Sequence, residues 1–177
     1  MLWLALHFPC LALEALPCRP SPSAVVQRGR IVAGDPVATR AGIFPGQKRS
    51  TALGLQPGLR LFERDEGRES AALHAMACWA GRFTPVVSLA PEALLLEIGG
   101  CLRLFGGLSS LLDRVLNGEA GQAWTLRWAV APTPLGARWL AQAGADAVFA
   151  ELADLHAGLD ALSCEIPAWG ETVLRRL

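Results

Sequence analysis

Residues 85–107, PVVSLAPEALLLEIGGCLRLFGG, constrain the fold of this chain more than any other stretch. Two short apolar runs flank an Ala-Pro-Glu turn, the pattern of two strands joined as a hairpin. A double-glycine turn then leads into a helix. Two further runs share the strand texture. LWLALHF, near the N-terminus, reads as a central strand, and AWTLRWAVA, from residue 123, reads as a strand before the helix TPLGARWLAQAG. In that helix Thr133 is placed to cap, Pro134 to occupy the first position and Gly144 to stop it.

The remaining segments fill in the alternation. PCLALEAL starts a helix with Pro9 in its first turn. Residues 65–82 place Ala72, Leu73, Met76, Ala77 and Ala80 on one face, with acids in the first turn, and predict a helix. LRLFERD predicts a strand before it, and GLSSLLDRVLNG a short helix stopped at Asn117-Gly118. Between Pro17 and Pro57 the texture shifts to Pro, Gly, Ser and Arg, with strand-like SAVVQ and GRIVAG. Val25, Val26, Ile31, Val32, Ile43 and Leu53 give this stretch something to bury, so it predicts a small ordered lobe. The sum is an α/β (α+β) fold: a mixed sheet with helices on one face and a small inserted lobe.

Charge sharpens the division. The chain of 177 residues has a formal net charge of zero, but residues 16–60 hold seven basic residues against Asp35 alone, a net +6. Such asymmetry is the footprint of a polyanionic partner or of a solvated basic surface. A hydrophobic content of 52% is ample for a core. The five cysteines (10, 18, 78, 101 and 164) form no C-x-x-C pair and have no histidine at ligand spacing, which speaks against a zinc site or disulfide framework. A reducing cytoplasm fits that usage. The apolar N-terminus lacks a basic start and is interrupted by His7, Pro9 and Glu14, unlike a signal peptide. No run approaches the roughly 18–20 apolar residues of a membrane span. Walker and G-x-G-x-x-G loops are absent from the sequence, so phosphate cradling by a glycine loop is not expected. Trp124, Trp128 and Trp139 read as core aromatics, and His74 and His156 as ordinary histidines rather than ligands.

LWLALHFPCLALEAL, VATRAGIFPGQ, VSLAPEALLLEIGGCLRLFGG and WAVAPTPLGARWLAQAG together resemble the Y-family (UmuC-type) DNA polymerases, and most closely their ImuB-like branch. LEIGG followed by RLFGG is the most specific of these matches. The resemblance implies a palm from residues 1–15 and 59–160, a fingers insertion at 16–58 and the start of a thumb at 161–177, as in a piece of a longer protein.

Polymerase chemistry of this kind needs two magnesium ions about 3.5–4 Å apart, held by carboxylates. By resemblance the first strand should carry Asp-x-Asp, and those positions are Ala5 and His7. The second motif's Asp-Glu pair falls on Glu92 and Ala93. The aromatic that excludes ribonucleotides falls on Cys10, and the chain has no tyrosine. Glu97 and Glu14 are further acids nearby in sequence; Glu97 reads as a solvated or capping acid. Glu14 stands nine residues past Ala5, about two and a half helical turns. Arg40 matches the fingers arginine that holds incoming phosphates, and Arg138 a basic position on the late palm helix. The family's triphosphate lysine has no counterpart near Gly144 or Ala145. Arg28, Arg30, Lys48 and Arg49 are the DNA-binding candidates of the basic lobe.

The resemblance thus implies a polymerase frame without its chemistry: an adaptor in damage-induced translesion synthesis and mutagenesis. No cofactor is expected. Its implied partners are DNA, ImuA, the DnaE-type polymerase ImuC and the sliding β clamp, the last through a part beyond this chain. Two alternatives remain at this point. One is an active error-prone polymerase, which would need Mg²⁺ held by regrouped acids; the other is an α/β interaction domain unrelated to DNA.

Overall fold

The computed structural model describes residues 1–118 and 122–163. All but the first three positions of the expected thumb segment, 161–177, lie outside the described residues. The chain divides into two compact units, one made of Met1–Pro9 with Leu73–Leu177 and one of Cys10–Ala72.

The first unit is built on a five-stranded sheet. Strands β1 (Trp3–His7), β5 (Val87–Ala90), β6 (Ala93–Glu97), β7 (Arg127–Ala131) and β8 (Ala147–Val148) lie in the order β5-β6-β1-β7-β8. β1 runs antiparallel to β6 and β7, and β8 adds to β7 in parallel, so the sheet is mixed. The predicted strand from residue 123 begins only at Arg127. β1 offers five residues for pairing, Trp3 opposite Ala131 through His7 opposite Arg127, and the chain before Arg127 has no strand left to pair with.

Side chains alternate across this sheet. Ala5, Leu95, Ala129 and Ala131 pack with Ala137, Leu140 and Ala141 of the helix Pro134–Ala143 and with Leu155 of the helix Leu152–Asp160. Small residues on both sides let the first of these helices lie close on the strands. Its ends follow local chemistry: the Thr133 hydroxyl oxygen accepts from the Gly136 amide at 3.2 Å, and Gly144 closes it at φ 74°. A side chain at Gly136 would sit 2.7 Å from Leu155, so glycine there lets the second helix seat. On the other face Leu4, Leu6, Leu94, Leu96 and Val130 are buried as well. Each such leucine contributes about 1.5–3 kcal/mol by leaving water.

The second unit holds a three-stranded sheet of β2 (Ser23–Gln27), β3 (Arg30–Gly34) and β4 (Arg60–Glu63), in the order β3-β2-β4. The strand-like SAVVQ and GRIVAG form its antiparallel hairpin. β4, expected to belong with the palm strands, instead pairs in parallel with β2, from Ser23 opposite Arg60 to Val26 opposite Glu63. β2 is apolar and buried, and β4 satisfies the edge that β3 leaves open.

Numbered in chain order, the helices among the described residues are α1 (Leu11–Glu14), α2 (Pro36–Arg40), α3 (Arg49–Leu55), α4 (Glu66–Ala80), α5 (Leu102–Phe105), α6 (Leu108–Leu116), α7 (Pro134–Ala143) and α8 (Leu152–Asp160). The unit boundary falls within α4. α2 and α3 were not foreseen. α2 starts at buried Asp35, whose Oδ1 accepts from the Ala38 amide at 2.7 Å while Oδ2 accepts from the Ser23 amide at 2.9 Å. One side chain thus caps a helix and ties it to β2. Ala24, Val26, Ile31, Ala38, Ile43, Ala52 and Leu59 form the apolar core of this unit.

Candidate functional site

In the three-stranded unit, the basic candidates converge. The β2–β3 hairpin turns at Arg28 and Gly29, with φ of 50° and 75°. Positive φ at both central residues matches the twist of the flanking strands. Arg30 then pairs with Lys48 in an isolated antiparallel bridge. The Arg49 amide donates to the Gly29 carbonyl at 2.9 Å, and the Ile31 amide to the Gln47 carbonyl at 2.9 Å. These backbone bonds pin the start of α3 beside the hairpin turn. Arg28, Arg30, Lys48 and Arg49, all exposed, line one open cleft of about 570 Å³ with Gly29, Ser50 and Leu53. Among the described residues no carboxylate lines it. Arg30 is fixed further by donating from Nη1 to the Gly46 carbonyl at 2.7 Å. Four cations without a counter-charge form a surface suited to a chain of phosphates.

Arg40 does not join them. It is exposed in the last turn of α2 and does not line the cleft. Cys10, expected from the resemblance at the steric-gate position, is the half-buried residue preceding α1.

The carboxylate-motif positions lie in the five-stranded unit. β1 and β6 pair so that His7 stands opposite Ala93 and Ala5 opposite Leu95. The two motifs are therefore brought side by side. Opposed residues of this kind have Cβ atoms about 4.5–5.5 Å apart. The side chains found there are methyl groups and an imidazole. Ala5 and Ala93 are both 0% exposed, and Ala5 sits within the apolar layer under α7.

His7 is buried, and its Nδ1 lies 3.1 Å from the carbonyl oxygen of Glu92, which also accepts from the Phe8 amide at 2.8 Å. A carbonyl cannot donate, so Nδ1 carries the hydrogen of that bond. Burial pushes the His7 pKa below 6.5; the Glu92 carbonyl opposes this, and the charges of Arg127 and Arg138 add to it. The imidazole is thus neutral at physiological pH. Glu92 occupies the β5–β6 turn at φ 55° and is half-buried.

Glu97 lies at the far end of the same strand pair, opposite Trp3. Four residues along a strand is about 13 Å. Its Oε1 accepts from the Gly99 amide at 3.1 Å and from the Leu2 amide at 3.4 Å, so it is held as a turn-capping acid. Among the described residues no three His, Cys, Asp or Glu side chains are grouped to hold a metal ion. A magnesium pair needs several hard oxygen ligands at one place. The groups at the motif positions do not fit it.

Two arginines bear on His7. Arg138 lies on α7, with its Nε buried and without a hydrogen-bond partner. Arg127, which the sequence did not single out, is opposite His7 in the β1–β7 register and donates to the Gln142 carbonyl at 3.2 Å. Its side chain packs over Gly144, where an added side chain would meet its Cδ at 3.4 Å and its guanidinium at 3.5 Å. The signal for Arg127 was a basic residue opening a strand, which has no meaning until the register is known. Trp124, Trp128 and Trp139 are half-buried, and Trp124 meets Phe8 edge-on at 6.4 Å. His74 and His156 are exposed.

No protein-family model matches the chain. Over 111 residues it is 38% identical to protein ImuB of Caulobacter vibrioides, with the same figures in two strains. The matched stretch is 62% of this chain and 24% of that protein, so about a quarter of the curated relatives' length is spanned. Among solved structures, an insertion ternary complex of Dbh DNA polymerase superposes with a TM-score of 0.73 at 16% identity, over 100% of this chain and 57% of that one. DinB from Sulfolobus solfataricus gives 0.68 at 16%, over 100% and 56%. A Y-family DNA polymerase chimera of Dbh and Dpo4 gives 0.72 at 14%, over 100% and 57%. The chain therefore has the palm-and-fingers fold of Y-family polymerases and a sequence similar to that of ImuB. No helix among the described residues is long and apolar enough to cross a membrane.

Proposed function

We propose that this chain is the palm-and-fingers portion of a Y-family polymerase homologue that does not catalyse nucleotidyl transfer and serves as a DNA-bound adaptor in damage-induced translesion synthesis. The observation that supports this is the β1–β6 register, which sets buried Ala5 and Ala93 and neutral His7, the residues that the resemblance assigns to the metal-holding positions, side by side. Apolar methyls and an imidazole already bonded to a carbonyl cannot steady a leaving pyrophosphate or activate a primer hydroxyl.

What the residues can do is hold nucleic acid. Arg28, Arg30, Lys48 and Arg49 offer four cations to a phosphate backbone, while the palm contributes a rigid sheet. Phosphate contacts of this type position a protein without reading sequence. Adaptor work with ImuA, with the DnaE-type polymerase ImuC and with the sliding β clamp belongs to this proposal, as do an SOS-type mutagenic role and a cytoplasmic location. It is supported by the similarity to ImuB.

The test is a paired assay on the 177-residue chain. Binding to a labelled primer–template is followed by anisotropy across a salt series, and primer extension is attempted with Mg²⁺ and with Mn²⁺. Salt-sensitive binding without extension agrees with the proposal. Metal-dependent extension that survives Glu92→Gln contradicts it.

A further inference from the structure

The five-stranded unit carries a second cavity that the DNA-bound reading does not use. It is about 620 Å³ and is formed by the end of α4 and the turn after it, by α5 and by the C-terminal half of α6. Its apolar wall is an aromatic run. Trp79 and Phe83 meet edge-to-face at 5.0 Å between centroids and 69°, and Phe83 and Phe105 are tilted at 5.8 Å and 45°. All three rings are only half-buried. Arg82 and Arg114 line the same cavity and are exposed, and the Arg114 guanidinium carbon stands 5.8 Å from the Phe105 centroid. The acid in the lining, Asp113, is engaged by Asn117, whose Nδ2 donates to it at 2.6 Å.

We propose that this cavity docks a peptide segment of a partner protein in which a large apolar side chain is flanked by carboxylates. Three features select that occupant. The half-buried rings leave apolar surface that a bulky side chain would remove from water. The two guanidiniums are complementary to carboxylates on either side of such an anchor, and arginine with aromatics is the usual composition of a binding hot spot. The rings are inclined to one another, and Phe105 already faces a guanidinium, so there is no pair of parallel open faces to clasp a nucleobase. Next to Phe105 in α5, Leu104 is 82% exposed, so this helix carries further apolar surface outside the cavity lining. The inference rests on this geometry alone and stands whether or not the basic cleft binds DNA.

The experiment titrates the 177-residue chain with fluorescein-labelled pentapeptides of the form Asp-Glu-X-Asp-Glu, X being Leu, Phe or Trp. Controls are the same peptides with Lys and Arg for the acids, the acidic frame with X as Ser, and hexathymidylate. At least one acidic apolar-anchored peptide should bind, with each peptide control about tenfold weaker or more. Arg82→Glu with Arg114→Glu, both exposed, should weaken binding at least as much and leave the circular dichroism spectrum unchanged. Phe105→Leu should weaken it independently of charge, and the Trp79 indole resonance should shift on titration. Failure of all three peptides to bind, binding indifferent to the double reversal, or hexathymidylate shifting the Trp79 resonance in preference to the peptides would each overturn the proposal.

Discussion

The two units place their charge differently. In the three-stranded unit, cations from a hairpin turn and from the start of α3 are drawn to one exposed cleft with no acid among them. In the five-stranded unit, the strand pair that the polymerase fold would furnish with acids is closed by alanine and by a neutral, buried histidine. The backbone frame is alike in both cases: paired strands that hold side chains in fixed register. What differs is solvent. A cation can stand in an open cleft because water and a polyanion share its field, whereas a carboxylate at a sealed position must be compensated by metal or hydrogen bonds. Paired strands can therefore present an open cationic surface in one unit and a sealed apolar position in the other.

The largest break in that comparison should come from the cleft. Four phosphate contacts on duplex DNA imply an affinity that falls about 100-fold between roughly 50 and 200 mM salt. Replacing Arg28, Arg30, Lys48 and Arg49 together with alanine should flatten that dependence, as read by anisotropy. Single replacements should each lower the log–log slope by about one. Next is the sealed palm position: Ala5→Asp should cost about 3 kcal/mol in denaturant unfolding, because a carboxyl is forced into an apolar layer. An Ala5→Asp chain as stable as the natural one would mean the position is not sealed.

Asp35→Ala should cost about 2 kcal/mol, from a lost helix cap and a lost tie to β2. Burial pushes the Asp35 carboxyl up, but the amides of Ala38 and Ser23 and the Ser21 hydroxyl together outweigh it and hold the pKa below 3.8. A depressed carboxylate stabilises the fold above its unfolded pKa and ceases to as pH falls through the folded value. The Asp35→Ala chain should accordingly lose less stability on acidification than the natural one. The smallest effect belongs to His7. Its folded pKa lies below 6.5, so the unfolded chain takes up the proton first and stability declines as pH drops below 6.5. His7→Gln should flatten that decline in thermal melts taken across pH.

Local chemistry was legible in the sequence wherever a feature is closed by near neighbours. Thr133, Pro134 and Gly144 bound α7 as their residue types dictate, and the hairpin 85–107 forms β5 and β6 around its turn. Long-range pairing was not legible. Nothing in LRLFERD says that it joins β2, since an apolar run suits any open edge. α2 and α3, at five and seven residues, are too short to display a helical period, although Asp35-Pro36 was a start signal. The four cleft cations could be named from charge. That Arg30 and Lys48 face each other across 18 positions follows only from the bridge that joins them. Arg127 likewise acquires its place beside His7 from register, which one sequence does not display.

The most direct test of the central claim is a manganese titration of the natural 177-residue chain, followed by paramagnetic broadening of the Ala5, His7 and Ala93 amide resonances, beside Ala5→Asp/His7→Asp/Ala93→Glu. The natural chain should show no broadening centred on β1 and β6 at sub-millimolar manganese, while the variant, with carboxylates side by side, should show it. Tight, saturable broadening at those amides in the natural chain would mean that other acids gather there around metal and that the chain retains the means for catalysis.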